Sequence, residues 1–106
     1  MTTYNVNFAS MPWDTSTPGV RFKVQKQDGT QLRLVEFFRE FVESDWCLRR
    51  HVGYVLEGEL EIDFNGQRVL FRQGDGIFIP PGEAHKHKAR VLTDLVKVIL
   101  VEDARE

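Results

Sequence analysis

Polar and apolar residues alternate along most of this chain, and a period of two predicts strands. The run "ELEIDF", Glu59 to Phe64, alternates without a fault, so one of its faces is buried. Asn65-Gly66 follows at once, and "QRVLFR" returns. Asn-Gly between such runs predicts a tight hairpin, because a type I′ turn needs positive φ at both central residues. Asp28-Gly29 plays the same part between "VRFKVQK" and "TQLRLVEFF". "GIFIP" predicts a short apolar strand ending at Pro80. "DLVKVILVE" is apolar on both faces and predicts a central strand. No helical period outcompetes the period of two, so no helix is predicted. Residues 1–19, with the turn-rich "MPWDTSTPG", form an irregular lead-in. The eight or nine short strands so predicted make an all-β barrel or sandwich. Periodicity alone leaves a jelly roll, an immunoglobulin-like sandwich and an up-and-down barrel open.

Composition narrows the setting. A length of 106 residues suits a single domain over 1–106. A net charge of -2 without a basic stripe argues against nucleic acid as a partner. No apolar run approaches a membrane span. The N-terminus, "MTTYNVNFAS", lacks the basic and apolar regions of a signal peptide. A single cysteine cannot make an intrachain disulfide, which fits a reducing cytoplasm.

That cysteine carries the candidate chemistry. In "DWCLRRHVGYVLEGELEI", Cys47 stands four residues before His51. Residues two or four apart on a strand face the same way. Asp45, Cys47 and His51 therefore share parity, with a turn near Leu48 to Arg50 as the one interruption. His85 and His87 share parity in "HKHKA". A thiolate, two imidazoles and a carboxylate suit a divalent metal; the thiolate favours zinc over hard cations. Each residue has a plainer reading. A lone cysteine is most often a small buried hydrophobe. His51 would be a satisfied half-buried histidine. His87 would be solvated between outward Lys86 and Lys88, and Asp45 would open a turn. Trp46, Tyr54, Phe38 and Phe78 are expected in the core. Glu36 and Glu40 either supply an acid or base to a cavity or lie at an exposed edge.

Two motifs resemble those of cupins. The downstream cupin motif runs Gly, five residues, Pro, any residue, Gly, two residues, His; here Gly74, "DGIFI", Pro80, Pro81, Gly82, "EA" and His85 fill it. The family's final Asn is replaced by Ala89. The upstream motif ends at Gly58 in "YVLEGE". Counting back from Gly58 puts His51 in the family's Glu position, and Cys47 and Asp45 in its two His positions. The resemblance covers Asp45 to Val101, the core carrying both motifs. It implies a double-stranded β-helix, a jelly-roll barrel with one site in its mouth. It also implies a divalent metal there, iron, manganese, nickel or zinc, and of these the thiolate of Cys47 puts zinc first. On this reading Cys47, His51 and His85 converge on one cavity, with Asp45 or His87 as the fourth partner. The function implied is binding of a small polar metabolite. The alternative is a metal-dependent isomerase, lyase or dioxygenase acting on a small organic acid or sugar. The replaced His-x-His pair weakens the dioxygenase version, which rests on two histidines and a carboxylate. Small cupins also pair, so a homodimer through "VRFKVQK" or "DLVKVILVE" is expected.

Overall fold

The computed structural model describes residues 3–105. Eight strands appear in chain order: β1 (Val20–Gln27), β2 (Thr30–Phe38), β3 (His51–Glu57), β4 (Glu59–Phe64), β5 (Gln67–Arg72), β6 (Gly76–Ile79), β7 (Lys88–Val91) and β8 (Leu95–Asp103). Among the described residues there is no α-helix; Phe8–Ser10 and Glu83–His85 are single 3-10 turns.

The tight turns form where the alternation predicts them. Asn65 and Gly66 both have positive φ, as do Asp28 and Gly29, so each pair turns its chain between adjacent antiparallel strands. The strands assemble into a five-stranded sheet, β1-β2-β8-β3-β6, and a three-stranded sheet, β5-β4-β7. Together they make a jelly-roll barrel. β8 lies between β2 and β3, as its two-sided apolar character requires. Gly53 is needed where β3 crosses β8, because a Cβ there would collide with the Ile99 carbonyl oxygen.

The core lies between the sheets. Val35, Val55, Val96 and Val98 of the larger sheet are at most 1% exposed, and Leu60, Ile62, Phe71 and Val91 close on them from the smaller one. Burying each such side chain stabilises the fold by about 1.5–3 kcal/mol.

The lead-in packs on the outside of β1. Asp14 forms an isolated bridge with Phe22, and the Trp13 ring sits under the cations of Arg21 and Lys23 at 4.2 and 4.5 Å. The first two residues of the predicted lead-in, 1–2, lie outside the described residues.

Two expectations are corrected here. Phe78 is 81% exposed and Tyr54 46%, because each alternates with an inward neighbour, Ile77 or Ile79 in one case and Val55 in the other. Glu36 is neither in a cavity nor exposed. It faces outward, is 5% exposed, and pairs with Arg21 at 2.7 Å and Lys97 at 3.4 Å, its cross-strand partners. Glu40 is exposed beyond the end of β2. No helix of the described residues is long and apolar enough to cross a membrane.

Candidate metal and ligand site

Cys47 belongs to no strand, yet its backbone is fixed. It pairs with His87 in an isolated antiparallel bridge, its N–H donating to the His87 carbonyl at 2.8 Å and the His87 N–H donating back at 3.0 Å. Directly opposed residues of an antiparallel pair carry their side chains on the same face. Cys47 and His87 therefore both turn into the barrel. The chain then loops through Leu48 to Arg50, and His51 opens β3 opposite Ile79. Because Val52 pairs with Val101, His51 lies beside Glu102 on the inward face.

These positions bring three donor atoms together. The ligand atoms of Cys47, His51 and His87 all lie within 4.8 Å of one another. Cys47 Sγ is 3.4 Å from His51 Nε2, and the His51 and His87 rings meet edge to face at 5.1 Å. The far nitrogen of each imidazole is already held. His51 Nδ1 donates to Glu102 Oε2 at 2.7 Å, and His87 Nδ1 donates to the His85 carbonyl at 3.1 Å. A carbonyl can only accept, so the Nε2 atoms are left facing the cluster.

Glu102 anchors this side. It is 2% exposed and accepts bonds from Gln31 Nε2 at 2.9 Å and from Arg33 Nε and Nη2 at 2.8 and 2.9 Å. Burial opposes its charge, but His51 and Arg33 outweigh that and hold its carboxyl well below the usual range. Burial likewise opposes ionisation of Cys47. The hydrogen bond from His51 is the chief influence that wins, and it brings the thiol down to about 5. Burial lowers His51, but its bonds to Cys47 and Glu102 win and raise it. The balance is a thiolate beside an imidazolium whose other N–H rests on a buried carboxylate. Glu43 also faces this region. Burial raises its pKa, and its Oε1 accepts the Ala89 N–H at 2.7 Å.

The predicted site residues divide unevenly. Cys47, His51 and His87 come together; His85 and Asp45 do not join them. The parity count assumed an extended chain through "HKHKA". Instead Glu83–His85 is a 3-10 turn, which leaves His85 exposed and sends only His87 inward. Asp45 is exposed, two residues before the bridge. The expected convergence of His85 is therefore replaced by that of His87, and the motif histidine contributes its carbonyl instead.

The three donors suit a metal ion. Zinc takes thiolate and imidazole ligands tetrahedrally at roughly 2.0–2.3 Å, which separates ligand atoms by about 3.3–3.8 Å. The Cys47–His51 spacing of 3.4 Å falls in that range. Acceptors on the far nitrogens of metal-bound histidines are the usual support for such ligands. The donors open on a cavity of about 290 Å³, lined by apolar residues including Phe22, Phe37, Ile79 and Leu100, and by Arg33, Arg49 and Arg105.

Reading along the sequence missed Glu102, Arg33 and Arg105. A signal was present for Glu102. It continues the inward series Val96, Val98 and Leu100, so a carboxylate there had to be buried.

Comparison with known proteins agrees with the fold. The family model described as a cupin domain matches residues 49–101. No curated protein matches the chain in sequence. Among solved structures, KdgF from Halomonas sp. superimposes with a TM-score of 0.74 at 22% identity, covering 93% of this chain and 94% of that one. An RmlC-like cupin from Shewanella frigidimarina gives 0.76 at 19%, over 99% and 95%. The EutQ protein of Clostridium difficile gives 0.64 at 22%, over 93% and 79%.

Proposed function

The chain belongs to the cupin domain family, and from that premise we propose that it binds one divalent metal ion through Cys47, His51 and His87. A small polar metabolite would occupy the cavity beside the ion. The observation that carries this reading is the convergence of one sulfur and two nitrogens, with each imidazole held from behind by an acceptor. Zinc is the first choice, because a thiolate selects against hard cations. When bound, it would leave a position open to water or ligand and polarise what binds there. The chain's own residues would orient the ligands: Glu102 holds the His51 ring, and the bridge to His87 holds Cys47. Elemental analysis of untagged protein, grown with zinc, nickel, iron and manganese supplied, tests the reading. A stoichiometry near one metal per chain is expected, and a metal-free protein would overturn it.

A second reading rests on the chain of bonds Cys47–His51–Glu102. A thiol, a base and an orienting carboxylate are the parts of an activated nucleophile. Alkylation separates the two. Zinc should protect Cys47 from iodoacetamide if it is a ligand; on the second reading, reactivity persists with metal present.

The expected homodimer forms part of the proposal. Phe78, Tyr54 and Val101 leave apolar surface on the outer face of the larger sheet. A second copy would cover it, which sedimentation equilibrium tests.

A further inference from the structure

Three arginines line the cavity, Arg33, Arg105 and, as an exposed residue at its edge, Arg49. Their charges are not all matched. Glu102 takes Arg33 in a two-bonded pair and also accepts from His51, so its capacity is largely used. Arg105 reaches the same carboxylate through one nitrogen only, at 3.5 Å. Its Nε is buried and has no hydrogen-bond partner among the described residues. Arg49 makes no ion pair among the described residues; its neighbour Arg50 turns away to Asp103. Against this stand Glu43, which already accepts the Ala89 N–H, and the Cys47 thiolate, which is taken by the His51 imidazolium. Arg105 is held over the cavity by its backbone N–H, which donates to Gln31 Oε1 at 3.2 Å.

The Arg105 side chain as a whole is one-third exposed, and its single long contact with Glu102 leaves donors free for a ligand oxygen. Guanidinium forks fit the two oxygens of a carboxylate. The rest of the wall asks for something different. Val20, Phe22, Phe37, Ile77, Ile79 and Leu100 offer only apolar surface. A volume of about 290 Å³ suits a small organic molecule.

We infer that the cavity binds a small carboxylate with an apolar body, its carboxylate between Arg49 and Arg105 and its body against the wall of Phe22, Phe37 and Ile79. The inference rests on reading this cavity as the ligand site, and it does not require the metal.

Calorimetric titration of the metal-stripped protein with isovalerate and with isovaleramide tests it. The two probes share a shape and differ in charge. Isovalerate should bind at least about tenfold more tightly, and Arg105→Gln and Arg49→Gln should each remove most of that preference. The wild-type comparison needs no variant, so a misfolded variant leaves the test intact. Equal binding of the two probes, or none, overturns the inference whatever the zinc content. Isovalerate preference unchanged in both variants also overturns it. Inorganic phosphate binding as tightly with the same arginine dependence would remove the apolar body and overturn it too. If the preference holds in a protein that takes up no zinc, the inference stands and the metal reading falls.

Discussion

The inward face of β2 and β8 changes character along its length. At one end Phe37 opposes Val96 and Val35 opposes Val98. At the other Arg33 opposes Leu100 and Gln31 opposes Glu102. The same two strands and the same register thus build an apolar core and a buried charged cluster. The apolar end is held by many weak contacts, so losing part of one side chain costs in proportion to what is removed. The charged end behaves as a unit. Glu102 holds Gln31, Arg33 and His51 together, and loss of that one group strands the others.

The sharpest way to break this contrast is Glu102→Ala. It leaves Arg33 buried without a partner and should cost about 3–5 kcal/mol, measured by urea unfolding. A loss below about 1 kcal/mol, the range of an exposed pair, would show that the cluster is not coupled.

Zinc provides the next test, because it should tighten the charged end alone. At a hundredfold excess over Kd it should stabilise the stripped protein by about 2.7 kcal/mol. Cys47→Ser and His87→Ala should lose most of that gain, and His85→Ala should keep it. Equal losses for His85 and His87 would return the motif histidine to the site.

At the apolar end, Val98→Ala should cost about 2 kcal/mol and leave zinc uptake unchanged. Reduced zinc uptake would mean that the two ends communicate through β8.

The effect of pH follows from the shifted groups. The ultraviolet absorbance of the Cys47 thiolate should titrate near pH 5 in stripped protein, and His51→Gln should move it back towards the ordinary 9.0. Because the folded thiol is depressed, its contribution to stability is complete above 9.0 and is lost as pH falls towards about 5. Glu102, also depressed, adds to the loss on acidification below its ordinary 4.5. His51 is raised and works the other way: its contribution is complete below 6.5 and disappears as pH rises through its folded value. A thiol that titrates at its ordinary value in wild type would show that the pair is not formed.

The smallest effect should come from Arg39→Ala, which removes an exposed pair with Asp94. Less than about 0.5 kcal/mol is expected, against several for the buried pair of the same chemistry.

Much of this was written locally. The alternation in "ELEIDF", the turns at Asn65-Gly66 and Asp28-Gly29, and the doubly apolar β8 depend on neighbours a few residues away, and sequence alone determined them. The cupin resemblance rested on motifs of the same local kind. What joins distant segments was decided only by the tertiary structure. Glu102 meets His51 across 51 positions and Arg33 across 69, and those meetings depend on the register of β8 against two strands at once. The exchange of His85 for His87 has the same origin. Parity holds only while the chain stays extended, and the turn at Glu83–His85 reset it. His87 was then turned inward by its bridge to Cys47, a residue forty positions away that no count along the strand could reach.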